Sequence, residues 1–325
     1  MALLPFSARN DARDTVHALF AAYKARAARE PMHDWRRDHL GASLIGHKCD
    51  RFLWLSFRWA TNPKHSGKQL RLFERGNREE EWIIEDLRAA GLTIQDADPK
   101  TGTQRRVSFG GHVGGSIDGL ALGVHASPRR WHLLEIKSHN RKNFEKLVMD
   151  GVKRSKPEHY AQMLVYLLGV GLEAALYVAV CKDSDDIYME IVPIDRAKAV
   201  DLVDRAKRIA MSAVAPAKSD MEYPPCRYTS ADGQTWLCQH YELCHGTKIP
   251  ERNCRTCIHA MPQDGGGWLC SHHSRVIDSD EQREGCPRYF PIPKMINAQI
   301  VDGSTSAEAV FQFADGTTVT IGGGG

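Results

Sequence analysis

Asp118, Glu135 and Lys137 combine residue types and a spacing that can do chemistry. Asp118 stands in a glycine-flanked, strand-like run that begins at Phe109, and Glu135 and Lys137 end a second such run over 131–137. Strand side chains alternate between faces, so Glu135 and Lys137 point one way and Ile136 the other. A hairpin between the two runs would bring Asp118 to the same face. Two carboxylates side by side repel. A divalent cation between them removes that cost, and Mg2+ or Mn2+ accepts one or two carboxylates together with water and phosphate oxygens. An ammonium beside such a pair can hold the attacking water or the phosphate. The chemistry predicted is metal-assisted phosphodiester cleavage. Without a metal the same residues are an ordinary Glu–Lys pair on a strand.

The elements that must position these groups are legible as periodic segments. From Leu70 to Ala90 an apolar stripe of Leu72, Phe73, Trp82, Ile83 and Leu87 recurs at helical spacing. Gly76 inside it costs about 1 kcal/mol relative to alanine, so a packing or close-approach reason is expected. It shares a face with Glu80, four residues on. Pro157 opens a second helix, tolerated in the first turn, with Gln162 and Tyr166 four apart on an otherwise apolar surface. A polar amide there needs a partner. Further helices are expected over 11–30, over the aromatic run 51–59 as core packing, and over 195–213 capped by Asp195. Strands are expected over 91–95, 104–109, 173–181 and 186–193. Segment 141–156 sets Arg141, Lys142, Lys146, Lys153, Arg154 and Lys156 against Glu145 and Asp150. That excess of positive charge suits a phosphate backbone, or a solvated helix face. Gly110, Gly111, Gly114 and Gly115 lack the GxxxxGK[ST] context of a phosphate loop. They read as a turn and a close backbone approach to DNA or metal.

Taken in order, Gly76-x-x-x-Glu80, Asp118, Glu135-x-Lys137 and Gln162-x-x-x-Tyr166 resemble the PD-(D/E)xK nuclease superfamily, in its RecB-like and lambda-exonuclease-like branch. The PD position reads Ile117-Asp118. The resemblance implies an α+β fold with a restriction-endonuclease-like core, a mixed central sheet flanked by helices. It implies that Asp118, Glu135 and the backbone of Ile136 hold Mg2+ or Mn2+, and that Glu80, or Glu79 in its place, completes the site. Lys137 would position the attacking water, and Gln162 and Tyr166 would orient ligands or contact DNA. Lys153, Arg154 and Lys156 would guide the backbone. The implied activity is that of a metal-dependent deoxyribonuclease, an exonuclease before an endonuclease, of the phage type used in DNA recombination or repair. DNA is the implied substrate, and a recombinase or annealing protein a further partner. The rivals are a nuclease fold that binds nucleic acid or serves assembly without catalysis, and a structure-specific endonuclease. A redox role finds no flavin or nicotinamide motif.

Cys49 and Cys181 stand alone, and the other seven cysteines fall between Cys226 and Cys286. In a reducing compartment such a cluster reads as metal binding before disulfides. Cys181 reads as a small core hydrophobe. Cys254-x2-Cys257-x12-Cys270-x15-Cys286 fits a four-thiolate zinc site, with His259, His272 and His273 as substitutes. Over 251–290 that module carries five Lys/Arg against six Asp/Glu, which favours a structural or protein-docking role over DNA readout. The other group that can be made is Cys226-x11-Cys238-x5-Cys244 together with distant Cys49. One early and three late cysteines are similar to the arrangement that holds a [4Fe–4S] cluster in some RecB-like nucleases, including those of CRISPR adaptation and the AddB type. The chain departs from it where a CxxC would put a thiol at Thr235. His240 or His245 as ligands would favour zinc.

The chain has 325 residues, 26% of them charged, and a formal net charge of +3, a mild basicity that decides little. It has no apolar run long enough to cross a membrane and no signal peptide, so a cytoplasmic location is expected, in the host cell if phage-encoded. The expected division is a helical segment at 1–40, a nuclease domain at 41–215 closed by a proline-containing linker, a cysteine segment at 216–250 and a zinc-like module at 251–292. A β-hairpin tail follows at 293–325, turning at Asp315-Gly316, with strands also about Asp302-Gly303 and a flexible end at 322–325. Oligomeric state is not legible in one chain.

Overall fold

Local caps and breakers cut the chain into the elements that carry the site. The computed structural model describes residues 8–29, 35–218, 226–229, 235–301 and 308–322, with side chains from residue 14 onward. Helix α1 is Ala8–Ala27, followed by β1 (Leu40–Gly41), α2 (Ala42–Ile45) and α3 (Asp50–Phe57). Helix α4 (Gly67–Ala89) begins in a capping box, the Ser66 hydroxyl taking the Gln69 N–H and the Gln69 side chain taking the Ser66 N–H. Strands β2 (Thr93–Gln95), β3 (Arg106–Ser108), β4 (Val113–Ser116), β5 (Gly119–Leu122) and β6 (His132–His139) come next. Asn140 caps α5 (Arg141–Ser155), and Pro157 opens α6 (Pro157–Val170), which stops at Gly171 in the left-handed conformation. Strands β7 (Ala174–Cys181) and β8 (Ile187–Pro193) precede α7 (Arg196–Met211), capped by Asp195 as expected.

The central sheet has the order β2-β5-β6-β7-β8. Its β6–β7 pair is parallel and its other pairs are antiparallel, so the sheet is mixed. Helix α4 covers one face, where Ile83, Ile84 and Leu87 pack on Leu134, Ile136, Leu176 and Val178. The other face, with Leu133, Tyr177 and Ala179, packs against α5 and α6. A smaller sheet, β1-β4-β3, adjoins this core. Each large apolar side chain so buried contributes roughly 1.5–3 kcal/mol. The aromatic run of α3 is core, as expected: Trp54, Leu55 and Phe57 are buried.

The cysteine-rich part builds its own small elements. An exposed ribbon pairs β9 (Arg227–Thr229) with β10 (Thr235–Leu237), and α8 (Tyr241–His245) follows. A three-stranded sheet joins β11 (Ala260–Pro262), β12 (Trp268–Cys270) and β13 (Arg275–Ile277), closed by α9 (Ser279–Glu284). The C-terminal part is a three-stranded antiparallel sheet, β14 (Ala298–Val301), β15 (Glu308–Phe313) and β16 (Thr318–Gly322). Its β15–β16 turn falls at Asp315-Gly316, as expected. The 302–303 turn and residues 323–325 lie outside the described residues. Ala309, Phe311 and Phe313 are buried in the same apolar cluster as Trp268, Met295 and the α6 side chains. No helix among the described residues is long and apolar enough to cross a membrane.

Candidate active site

Strand β6 carries the chemistry, and strand alternation sets its direction. Ile136 packs toward α4 while Glu135 and Lys137 face the other way. Asp118 lies between β4 and β5, one residue beyond the last β5–β6 pair, Gly119 with Leu134. There β5 has not yet begun, and the Asp118 carboxylate accepts the Ile136 N–H at 2.8 Å. The Lys137 ammonium ion-pairs with Glu135, lies 3.9 Å from Asp118, and donates to the Ile136 carbonyl at 3.0 Å. Glu135 is fully buried, and its Oε2 has no hydrogen-bond partner.

Glu80 reaches the same group from α4, held by the Gln104 amide at 3.1 Å. Burial, then the Asp118 charge, pushes its carboxyl up to about 7. Burial also raises Glu135 to about 7, against the pull of Lys137. For Lys137, burial works downward, but Glu135 and Asp118 outweigh it and hold the ammonium above its usual range. Three carboxylates and one ammonium thus share a small buried volume. Glu79 instead lines a surface groove with Trp82 and Asp86. The carboxylates are hard oxygen donors of the kind Mg2+ or Mn2+ takes, and the unpartnered Oε2 of Glu135 is the atom that a cation would satisfy.

Gln162 and Tyr166 are buried and form the wall behind the site. The Gln162 side chain hydrogen-bonds the Tyr166 hydroxyl, which burial and the charges of Glu135 and Asp118 hold protonated. Two glycine expectations need correction. A Cβ on Gly115 would lie 2.5 Å from the Tyr166 hydroxyl, and one on Gly111 would strike the Gly265-Gly266 backbone, so these two glycines make room for protein; Gly110 has nothing within 4 Å of its Cβ position. Gly76 has nothing within 4 Å of where its Cβ would be. No packing partner explains it; its face of α4 is open.

The basic segment is split. Gly151, at φ +69°, breaks α5, and the Glu190 carboxylate accepts the Val152 N–H of the second part. Lys153 lies over the Tyr160 ring at 5.5 Å, opposite Lys198 at 5.1 Å, and Arg154 is exposed. Lys156 turns the other way, donating to Asn143 at 3.1 Å and lying close enough to His139 and His159 to lower both.

Three residues beyond those singled out in the sequence extend the site. His139 lies two positions after Lys137, and its Nε2 is 3.1 Å from the Tyr177 hydroxyl. His159 approaches the same hydroxyl through Nδ1 at 2.9 Å, and the two imidazoles stack 5.8 Å apart. Strand alternation from Glu135 and helical spacing from Gln162 are the signals that could have found them.

Each cysteine quartet converges. Cys49, Cys226, Cys238 and Cys244 line one cavity of about 20 Å3, with the Arg51 Nε 3.4 Å from the Cys244 Sγ. That is room for about one water-sized ion, so a larger cluster would need the cavity to open. His240 has both ring nitrogens engaged, Nδ1 at 3.0 Å from the Thr61 hydroxyl and Nε2 at 3.0 Å from that of Ser56, so it is not disposed as a ligand. Burial, reinforced by the other three thiols, pushes Cys238 up to about 11. Cys254, Cys257, Cys270 and Cys286 line a second cavity of about 190 Å3 with His259, His272 and His273. Burial and the neighbouring thiols push Cys254 up to about 12. The Phe290 N–H points at the Cys257 Sγ at 3.5 Å, a donor suited to a thiolate. Both donor sets suit a thiophilic ion, although no group of three or more His, Cys, Asp or Glu side chains among the described residues is arranged to hold a metal as it stands. None of the nine cysteines forms a disulfide, and Cys181 is buried in the core.

Arg255, between the first two thiols of the second quartet, is buried. Its guanidinium stacks 3.7 Å from the Trp59 ring centroid and donates to the Phe57 carbonyl and the Gln282 side chain. The module is thereby keyed into α3.

No protein-family model matches the sequence, and no curated protein matches it. Among solved structures, it is similar to an alkaline exonuclease from Laribacter hongkongensis at 17% identity and a TM-score of 0.37, over 54% of this chain and 89% of that one. A complex of that exonuclease with dAMP is similar at 16% identity and a TM-score of 0.37, over 54% of this chain and 87% of that one.

Proposed function

We propose that the protein is a metal-dependent deoxyribonuclease that hydrolyses phosphodiester bonds. The observation that carries this reading is the convergence of Glu80, Asp118 and the buried Glu135 on Lys137, with one Glu135 oxygen unpartnered. Asp118, Glu135 and Glu80 would hold Mg2+ or Mn2+, with the Ile136 carbonyl beside them. When bound, such an ion supplies an activated water and neutralises charge on the phosphate. Lys137 stays an ammonium at neutral pH, so it is a donor to water or phosphate oxygen and not a general base. Asp118 is aimed by its bond to the Ile136 N–H, and Gln162 with Tyr166 keeps the wall behind Glu135 fixed. Lys156, on the histidine side of the site, adds attraction for the backbone, with Lys153 and Arg154 farther along it.

The finer reading is an exonuclease of the phage recombination or repair type, working with a recombinase or annealing protein; it rests on the resemblance of the motifs. For the cysteines we propose zinc in the second pocket and, on the same resemblance, a [4Fe–4S] cluster in the first. Zinc is the alternative there, decided by iron content.

The test is digestion of end-labelled linear DNA beside a closed circle, with Mg2+, Mn2+ or EDTA. Metal-dependent loss of the linear form alone is the expected result and gives the polarity. Nicking of the circle would turn the reading to an endonuclease. Retained binding with no cleavage under any metal would leave a non-catalytic nucleic-acid-binding protein.

A further inference from the structure

Two rows of side chains face each other across the site. Along β6, Glu135, Lys137 and His139 occupy successive positions on one face of the strand. Along α6, Tyr166, Gln162 and His159 fall at helical spacing. Glu135 and Tyr166 meet at one end, as the effect of the Glu135 charge on Tyr166 requires. His139 and His159 meet at the other, joined through the Tyr177 hydroxyl. The catalytic set uses only the first part of each row. Beyond Lys137 the site continues by one strand repeat, about 6.6 Å, a step on the scale of the spacing between neighbouring phosphates of a DNA strand.

The chemistry at the far end is that of an anion site. The Tyr177 hydroxyl has one proton, so with both imidazoles neutral one ring accepts from it and the other donates to it. That arrangement uses Nδ1 of His159 and Nε2 of His139. Nε2 of His159 and Nδ1 of His139 have no hydrogen-bond partner among the described residues. Burial first, and then nearby lysines, hold the two rings below their usual range: Lys156, Lys182 and Lys137 at His139, and Lys137 and Lys156 at His159. Only one outward nitrogen then carries a proton; with the Tyr177 hydroxyl donating to His159, that donor is Nε2 of His159, and Lys156 stands near it.

The geometry points to a second phosphate subsite, formed by His159 and Lys156 and aligned by Tyr177 with His139 behind it, for the phosphate next to the scissile one. This rests on the reading of the protein as a nuclease and adds a residue that contacts substrate, His159, and one that positions it, Tyr177. The shared chemistry is a phosphate group, from either an internal phosphodiester or a terminal phosphate of the strand.

The test is a cycle between the protein and the substrate. Oligonucleotides carry one neutral methylphosphonate, placed one step 5′ or one step 3′ of the scissile bond, and are compared with unmodified DNA. A parallel pair differs only in a 5′-phosphate or 5′-hydroxyl end. The proteins are wild type, His159→Gln, which keeps a polar group at the Nε2 position, and His159→Asn, which keeps one only at the Nδ1 position. Cleavage is followed with Mg2+ and binding with Ca2+ in its place. In the wild type, the methylphosphonate at one of the two positions, or loss of the end phosphate, costs about tenfold in kcat/KM or Kd. In His159→Asn the same change costs nothing further, and His159→Gln recovers part of the difference. Coupling to the methylphosphonate assigns an internal phosphodiester, and coupling to the end group assigns a terminal phosphate. Independent penalties in every pair, with cleavage intact, overturn the subsite and leave the nuclease reading standing. Coupling in binding with no cleavage keeps the subsite and removes the nuclease reading. Absence of both removes both. If a His159 variant does not fold, Tyr177→Phe carries the test: it keeps the ring volume, releases both imidazoles and weakens the coupling.

Discussion

Asp118 takes the Ile136 N–H at 2.8 Å, one residue before β5 begins. One carboxylate therefore ends a ladder and faces the site. Asp118→Asn keeps an acceptor for that N–H and removes only the charge. The fold is expected to survive, and cleavage to fall by about a hundredfold or more, as when a key charge-stabilising group is lost. Thermal denaturation beside a cleavage assay checks it; an Asn variant as active as wild type would remove Asp118 from the mechanism.

The raised carboxyls give a pH dependence with a definite sign. Glu80 and Glu135 titrate near 7 in the folded protein and near 4.5 when unfolded. Between these values the folded state binds more protons, so stability of the metal-free protein is present below about 4.5 and is lost as pH rises through about 7. Glu80→Gln removes part of that loss and should stabilise the metal-free protein at pH 8 by roughly 1–3 kcal/mol, with little effect at pH 4. Divalent metal, which competes with these protons, should add more stability at pH 8 than at pH 6. Melting curves in EDTA and in Mg2+ across this range test both statements.

Gly115 and Tyr166 are in close approach. Gly115→Ala should cost about 1–3 kcal/mol by overpacking and displace the wall behind Glu135, so activity falls with stability. Tyr166→Phe in that background removes the oxygen that is struck and should restore part of the stability. Urea denaturation of the single and double variants measures the coupling.

At Gly76 the expectation is the reverse. Nothing stands where its Cβ would be, and alanine is the better helix former by about 1 kcal/mol. Gly76→Ala should raise stability. Lower DNA affinity in the same variant would assign the open face above Glu80 to substrate; unchanged affinity would leave the glycine without a role.

The cysteine pockets predict bound metal and a structural cost for losing it. Cys257→Ser should lose one zinc and loosen Arg255 from Trp59, with a fall of several kcal/mol in stability. Cys49→Ser should lose the metal of the first pocket and stability together. Metal analysis by mass spectrometry decides both. A fully stable, metal-replete Cys49→Ser protein would exclude Cys49 as a ligand.

The central sheet, the capped helices and the catalytic face were legible because each rests on short-range rules: alternation set Glu135 beside Lys137, and Asp195 and Pro157 marked helix starts. The second cysteine quartet followed from its spacing and the first from the resemblance, and each lines one pocket. What was not legible depends on contacts between distant segments. The glycines at Gly111 and Gly115 serve packing against 265–266 and Tyr166. The basic segment divides because Gly151 takes a positive φ that the Glu190 side chain supports from β8. Arg255, inside a short cysteine knuckle, is buried against Trp59, almost two hundred residues earlier. His139 and His159 carry no pattern alone; they become a pair only through Tyr177.

The position of β6 in the sheet also orders events in time. Its partner on one side, β5, is a near neighbour in sequence, but its partner on the other, β7, arrives only after α5 and α6 have been made. Contacts between segments so far apart form late relative to local hairpins. A chain still emerging from the ribosome can pair β5 with β6, and so assemble Asp118 with Glu135 and Lys137, before the wall of Gln162, Tyr166 and Tyr177 closes over them. The unfinished carboxylates would then stand in water with ordinary acidity. On the proposed nuclease reading, competence for hydrolysis should appear only once synthesis has passed Cys181.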